Sequence, residues 1–81
     1  WRHYAGRFAV KEAVGKAFGT GIGQPIGWTD IEVRRDPATG APTVLLHGRG
    51  RRLATRRGVR RVLVSLSHCR DHAVAQAVLV G

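Results

Sequence analysis

The first residues that suggest chemistry are Glu12 and Lys16, four positions apart in the segment RFAVKEAVGKAFGTGIG, residues 7–23. On a helix this spacing makes the two side chains neighbours on one face. A carboxylate in a mostly apolar strip is a good oxygen ligand for Mg²⁺, and the adjacent lysine can neutralise phosphate oxygens. The alternative is an ordinary helical ion pair worth about 0.2–0.5 kcal/mol, and the spacing alone favours that alternative.

A glycine-rich loop, GTGIGQPIG, follows this segment at residues 19–27. The backbone N–H groups of such a loop can approach an anion closely, as they do in anion-binding nests. The loop lacks the GK[ST] ending of a Walker motif, and a glycine loop alone is more often a turn than a phosphate site. The order of carboxylate, lysine and loop adds weight to the phosphate-binding interpretation.

A second group of polar residues, SLSH, lies at residues 65–68 at the predicted end of a strand. Ser65 and Ser67 alternate onto one face of that strand, and His68 begins the connection that follows. Two hydroxyls and an imidazole in this position can bind a phosphate or a base edge. Taken alone, the motif is more often a polar strand end that faces water, and no strained GxSxG elbow accompanies it.

The third feature is a positive charge of +9, from 14 Lys and Arg against 5 Asp and Glu. Seven arginines lie within 13 residues: they are Arg49, Arg51, Arg52, Arg56, Arg57, Arg60 and Arg61. Such a field attracts polyanions: a nucleic acid, an acidic protein or a polyphosphate. The default interpretation is a basic face that is simply solvated. Among functional interpretations, docking of an acidic protein is the better one, because no aromatic residue interleaves with this stretch and no nucleic-acid-binding motif is present.

The remaining metal-binding residue types do not form a zinc motif. His3, His47, Cys69 and His72 lack the usual ligand spacings. A single cysteine excludes an internal disulfide and suits a reducing compartment, which we expect to be the cytoplasm. No run approaches the roughly 20 apolar residues that cross a bilayer, so no membrane association is expected.

The chain reads as one small domain over residues 1–81, with no repeat or linker to divide it. Periodicity and turn residues predict helix, hairpin, helix and hairpin, an α+β fold with a small, mainly antiparallel sheet covered by helices. Helices are predicted at 1–18 and 48–57, closed by Gly19 and Gly58. Strands are predicted at 30–35, 43–47, 59–67 and 73–80, with HCRDH (68–72) as the last connection.

The first predicted helix is apolar on two sides. One side carries Val10, Ala13, Val14, Ala17 and Phe18, and the other carries Ala5, Phe8 and Ala9 with Glu12 and Lys16 among them. Such a helix is usually buried on both sides, and the runs VLVSL and AVAQAVLV likewise predict strands covered on both faces. Because so short a chain has a small core, we expect a partner chain or a ligand to supply the second cover.

At residues 7–23 the chain closely resembles the holo-acyl-carrier-protein synthase family, the bacterial phosphopantetheinyl transferases. Matches continue in order through WTDIEV (28–33), LLHGRGRRLA (45–54) and VSLSH (64–68), so the similarity covers nearly the whole chain. The resemblance implies a Mg²⁺-dependent enzyme that transfers phosphopantetheine from coenzyme A to a carrier-protein serine. Family members commonly form trimers, with the active site between subunits.

The resemblance also implies roles for single residues. Glu12 matches a magnesium ligand, and Lys16 matches a lysine that contacts the coenzyme A phosphates and assists proton transfer. The residues expected to line the coenzyme A site are Arg7, Phe8, Gly19, Thr20 and Gly21. The strand-end motif, with Ser67 and His68, is implied to contact the nucleotide end of coenzyme A from a neighbouring subunit.

One family feature has no counterpart in the sequence. The family has an earlier strand with a G-x-D motif whose aspartate is another magnesium ligand, and the sequence begins at Trp1 without it. We therefore expect an N-terminally incomplete domain. An inactive fragment, or a subunit that needs a companion chain, stays open beside the transferase, as does a basic nucleic-acid-binding module. The implied partner is an acidic carrier protein of fatty acid, polyketide or peptide synthesis.

Overall fold

The computed structural model describes residues 4–23, 26–70 and 72–81, and only the backbone of residues 4 and 69. The elements are α1 (Tyr4–Ala17), a 3₁₀ turn (Trp28–Asp30), β1 (Ile31–Arg35), β2 (Pro42–Leu46), α2 (Gly48–Arg56), β3 (Arg61–Cys69) and β4 (His72–Val80). The predicted α+β order is confirmed. Residues 1–3, with which the first helix was predicted to begin, lie outside the described residues.

Both helices end at the glycines that the sequence indicates. Gly19 follows α1 with φ of 80°, its N–H donates to the carbonyl of Lys16 at 2.8 Å, and the Thr20 N–H donates to that of Gly15 at 3.3 Å. This pair of bonds is the Schellman motif, which needs a left-handed residue that glycine adopts without strain. α2 ends in the same way at Gly58, whose φ is 69°.

The strands form two separate two-stranded antiparallel sheets, β1–β2 and β3–β4. The second hairpin is longer than predicted, because β3 continues through His68 to Cys69, which pairs with His72. The prediction that 68–72 is a connection was therefore wrong. Polar residues suggested a loop, but Arg70 adopts a left-handed φ of 48°, which suits a tight turn, and strand pairing continues to Cys69 and His72.

The core lies where α1 crosses the strands, mainly β4 and β3, and α2 packs against the 3₁₀ turn. Its buried hydrophobic residues are Val10, Val14, Phe18, Ile26, Ile31, Leu53 and Ala54. The predicted core side of α1 is thus confirmed for Val10, Val14 and Phe18, while Ala13 and Ala17 are half-buried. This packing fixes the orientation of α1 and so decides which side chains it presents outward.

The residues that the structure describes do not supply the second cover that the sequence led us to expect. On α1, Phe8 is 40% exposed and Lys16 is also exposed. On the outer face of β3–β4, Leu63, Val74 and Val78 are 49%, 58% and 58% exposed. The outer face of β3–β4 is therefore an apolar surface that faces outward, and the side of α1 that carries Phe8 is partly open.

Among the residues that the structure describes, no helix is both long enough and apolar enough to span a bilayer.

Candidate active site

Three predicted site residues form a strip along the outward side of α1. At about 100° per residue, Phe8, Glu12 and Lys16 fall within about 80° of one another around the helix. Glu12 is half-buried and Lys16 is exposed. The described part of the chain contains three ion pairs, and none of them joins Glu12 to Lys16. The ordinary helical ion pair is therefore not formed, and both charged groups remain available to a ligand.

An aromatic contact flanks this strip. The rings of Phe8 and Trp28 lie with centroids 4.8 Å apart and planes tilted by 34°. Lys11 Nζ donates to the Trp28 carbonyl at 2.8 Å and so ties the 3₁₀ turn to α1. Trp28 was not predicted as a site residue. The sequence shows it only as part of the WTDIEV match (28–33), because the α1 residues that it contacts are distant along the chain.

The glycine loop folds back onto the last turns of α1. A Cβ at Gly15 would lie 2.9 Å from the carbonyl carbon of Gly21 and 3.1 Å from Cδ1 of Ile22. Gly21 itself has a φ of 68°. The loop can rest here only because residue 15 has no side chain. Gly15 is thus a site residue that the sequence reasoning missed, although its place four residues before Gly19 was a visible signal.

The amides of Gly19, Thr20, Gly21 and Gly23 are not free to form the anion nest that the sequence suggested. The N–H groups of Thr20 and Gly21 both donate to the carbonyl of Gly15, at 3.3 and 3.0 Å, and that of Gly19 donates to Lys16. The Gly23 N–H donates to Ile26 at 2.7 Å. These donors already have acceptors within the chain, so the loop shapes the site rather than supplying amides to an anion.

Lys16 lies beside a groove between α1 and β4. The groove has a volume of about 450 Å³ and is lined by Ala13, Lys16, Ala17 and residues 75–78. Small side chains on both walls let a ligand approach the helix backbone closely. The positive charge at the rim suits an anionic group.

The remaining predicted residues lie away from this strip. The His68 ring packs on the first turn of α1, where a Cβ at Gly6 would be 3.4 Å from its Cε1. Arg7, exposed on the same turn, lies about 140° around the helix from Glu12. Ser67 points to the opposite face of the sheet from His68 and pairs with Val74. One chain thus presents two groups of site residues on different surfaces.

The exposed side of α2 concentrates positive charge. Arg49, Arg51, Arg52 and Arg56, with Thr55, line a surface groove of about 460 Å³. Arg49 is paired with Asp30, whereas Arg51, Arg52 and Arg56 have no ion-pair partner among the described residues. Guanidinium groups so close together repel one another unless an anionic partner is present. This face is therefore suited to an acidic surface.

Residues 1–77 match the family model described as the 4'-phosphopantetheinyl transferase superfamily. The chain belongs to this superfamily. Its resemblance to holo-[acyl-carrier-protein] synthases is confirmed by the enzyme of that name from Ruminiclostridium cellulolyticum, which is 48% identical over 79 residues, or 98% of the chain. The chain spans 58% of the length of that relative.

Solved structures of the superfamily share the fold. The holo-[acyl-carrier-protein] synthase of Neisseria meningitidis superposes with a TM-score of 0.86 at 32% identity, covering 95% of this chain and 61% of the other. The Helicobacter pylori enzyme, solved in complex with coenzyme A, gives a TM-score of 0.81 at 32% identity and covers 94% and 63%. The predicted phosphopantetheinyl transferase-like fold is therefore confirmed.

The donor set around Glu12 fits magnesium only in part. No cluster of three or more His, Cys, Asp or Glu side chains that could hold a metal occurs within residues 4–23, 26–70 and 72–81. Mg²⁺ is commonly bound by one or two carboxylates, with substrate phosphates and water completing the octahedron. Glu12, half-buried and outside every ion pair recorded among the described residues, fits as one such carboxylate.

Proposed function

We propose that the protein transfers 4'-phosphopantetheine from coenzyme A to a serine hydroxyl of an apo acyl carrier protein and releases adenosine 3′,5′-bisphosphate. The observation that carries the proposal is the strip of Phe8, Glu12 and Lys16 that leads into the glycine loop, in a chain of this superfamily. The relative from Helicobacter pylori that binds coenzyme A supports the choice of donor.

The chemistry is a phosphoryl-type displacement. The serine oxygen attacks the phosphorus that carries the pantetheine arm, the bond from that phosphorus to the bridging oxygen breaks, and the hydroxyl proton is lost. Such reactions depend mainly on positioning and on neutralising oxygen charge. Lys16 is the group on this chain that supplies a positive charge beside the phosphates, and it can carry the proton. The nucleophile belongs to the carrier protein, so the chain needs none.

Glu12 is the proposed magnesium ligand. When bound, Mg²⁺ neutralises the oxygens of the diphosphate and holds them in place. The half-buried carboxylate of Glu12 is kept on the outward side of α1 by the burial of Val10 and Val14 on the other side. Further ligands in this scheme come from the substrate phosphates, from water and from chain outside the described residues.

We also propose that the complete site forms between neighbouring copies in a homotrimer. Glu12 and Lys16 lie on one surface of the chain, while Arg7 and the His68 ring lie at the first turn of α1 on another. A second copy can bring its Arg7 and His68 to the strip of the first, together with Ser67. The exposed apolar face of β3–β4 supports this arrangement, because association would bury it.

The arginine face of α2 is the proposed docking surface for the carrier protein. Arg51, Arg52 and Arg56 are all exposed and lie next to one another on two turns of helix. Complementary charge mainly accelerates encounter and orients the partner. We place the reaction in the cytoplasm, where it would activate carrier proteins of fatty acid or polyketide biosynthesis.

The transfer itself is tested with the full-length protein, coenzyme A, Mg²⁺ and an apo carrier protein, by intact-mass spectrometry of the carrier. Glu12→Gln should lower the rate by at least about 100-fold, because a metal ligand stabilises the transition state by several kcal/mol. Glu32→Gln is the matched control, since that carboxylate is engaged by Arg34 and His47. A wild-type protein that adds no mass to the carrier would refute the proposed function.

A further inference from the structure

The two ends of the glycine loop are held by two arginines at opposite ends of α2: Arg49 in its first turn and Arg57, its C-cap residue. At the first end, Arg57 Nη1 donates to the carbonyl of Phe18, the residue that precedes Gly19. The Arg57 guanidinium also lies over the Phe18 ring, 6.0 Å from its centroid. A charged donor on the last carbonyls of a helix satisfies an acceptor that has no partner within the helix. Arg57 therefore fixes the point at which the chain leaves α1.

At the second end, the chain is held through Asp30. Asp30 Oδ2 accepts the N–H of Gly27 at 2.7 Å and is 3.2 Å from Arg49 Nε. The Asp30 side chain is only 12% exposed, so this is a nearly buried carboxylate with charged and backbone donors. Gly27 is packed so closely under the Arg49 guanidinium that a Cβ would collide with it. Arg49 and Asp30 together fix the point at which the chain enters the 3₁₀ turn.

We propose that Arg57 and Arg49 are positioning residues for the coenzyme A site, which hold the two ends of the glycine loop so that it keeps its fold against Gly15 before the ligand arrives. This inference rests on the proposed function for the identity of the ligand. It divides the arginines of α2 and its C-cap into two kinds. Arg49 and Arg57 act within the chain, whereas Arg52 and Arg56 make no side-chain hydrogen bond or ion pair to a residue that the structure describes.

The first experiment measures the loop without any ligand. Hydrogen–deuterium exchange of the amides of residues 19–21 in the full-length protein should accelerate by about 3- to 10-fold in Arg57→Gln, the effect of losing one hydrogen bond. Arg49→Gln should accelerate exchange at residues 26–27 by a similar factor. Arg56→Gln and Arg52→Gln remove the same charge from the same helix and should leave both segments unchanged. Equal exchange in Arg57→Gln and Arg56→Gln would overturn the proposal.

The second experiment reads out the ligand. Arg57→Gln should raise KM for coenzyme A by about 3- to 10-fold with a much smaller change in kcat, because it disorders the loop that receives the ligand. Arg57→Lys keeps a charged donor and should recover part of the lost affinity. This variant also tests the proposal if Arg57→Gln folds poorly. Faster exchange with an unchanged KM in both variants would reduce Arg57 to a structural role and refute the positioning role. If the wild type neither binds coenzyme A nor transfers its arm, the proposed function fails, and the exchange data still decide whether the arginines hold the loop.

Discussion

The backbone of Gly21 lies so close to Gly15 that a Cβ on residue 15 would come within 2.9 Å of the Gly21 carbonyl carbon. The same helix residue accepts the N–H groups of Thr20 and Gly21. One glycine inside α1 therefore sets how near the loop lies to Lys16. Since the fold of the loop depends on this contact, Gly15 should be intolerant of even the smallest side chain.

The first prediction is that Gly15→Ala lowers the free energy of unfolding by about 1–3 kcal/mol, because overpacking against backbone exceeds the roughly 1 kcal/mol of helix propensity that alanine adds. Gly6→Ala is the control on the same helix. Its Cβ would meet only side-chain atoms of Leu66 and His68, at 3.3 and 3.4 Å, which can shift. Urea titration measures both variants. A Gly15→Ala protein as stable as Gly6→Ala would contradict the close contact.

The second prediction concerns Glu32 of β1, which is bonded to Arg34 on the same strand and to His47, the N-cap residue of α2. Hydrogen bonds from Arg34 first and His47 second hold the pKa of Glu32 below its ordinary value near 4.5, at distances of 2.5 and 2.6 Å. A depressed pKa means that the unfolded chain binds the proton more tightly than the folded one. The stabilisation is therefore present above the ordinary pKa and is lost as pH falls through the folded value.

Glu32→Gln should accordingly destabilise the protein near neutral pH and converge with the wild type as pH falls from about 6 to about 3. Arg34→Gln removes the larger cause of the shift and should reproduce part of this profile. Thermal or chemical unfolding across that pH range is the measurement. Because all three side chains are substantially exposed, the difference should also shrink in high salt. A difference that stays constant down to pH 3 would exclude a linked proton.

The third prediction separates the two lysines of α1. Lys16→Gln should weaken coenzyme A binding by about 5- to 10-fold, the worth of one phosphate contact near a protein surface. Lys11→Gln makes the same change in charge five residues earlier. The Lys11 ammonium is occupied by the Trp28 carbonyl, so this variant should bind within about twofold of the wild type. Calorimetry at two salt concentrations measures both, and equal losses would show that only net charge matters.

The sequence predicts those features that depend on local chemistry. The buried side of α1 follows from the spacing of Val10, Val14 and Phe18, and the ends of both helices follow from Gly19 and Gly58. The strip of Glu12 and Lys16 follows from helical spacing as well. Each of these needs only residues within one or two turns of one another.

What the sequence does not predict depends on contacts between distant segments. Arg57 bonds to the carbonyl of a residue 39 positions away, and Arg49 to a carboxylate 19 positions away, although both read as parts of one uniform basic run. The loop amides looked free for an anion because nothing local shows that the Gly15 carbonyl takes two of them. The polar residues 68–72 suggested a loop, but strand pairing across the turn outweighed their low β-propensity.

The fourth prediction tests the docking surface. Replacing Arg51, Arg52 and Arg56 by glutamine should raise KM for the carrier protein by about 5- to 50-fold at low salt, as expected for three weak surface pairs. KM for coenzyme A should stay unchanged. Replacing Arg34, Arg35 and Arg70 by glutamine removes the same net charge from the two hairpins instead of α2. If both triple variants weaken the carrier equally, long-range attraction rather than docking on α2 explains the effect.

The fifth prediction is that two inactive variants restore activity when mixed. Glu12→Gln and His68→Ala each disable a different group of site residues, and these groups lie on different surfaces of one chain. If the site forms between copies, a mixed oligomer contains interfaces in which Glu12 of one copy meets His68 of another, both intact. Refolding or exchanging subunits of the two variants together should then recover a fraction of wild-type transfer that depends on the mixing ratio.

The control for the mixing experiment disrupts the oligomer through the outer face of β3–β4. Val78 is 58% exposed and pairs with Leu63 on this face. A lysine at position 78 should oppose burial of the face, because burying an unpaired charge is costly. Val78→Lys in both variants should therefore lower the oligomer mass measured by light scattering and abolish the rescue. Gln76→Lys is the control. It adds the same charge on the same face, two residues earlier in β4 and opposite Ser65, where the sheet is already polar, and it should leave more of the oligomer intact. Absence of rescue in a stable mixed oligomer would place Glu12 and His68 in one site within a single chain. Rescue that persists in a monomeric Val78→Lys mixture would show that it does not depend on this oligomer.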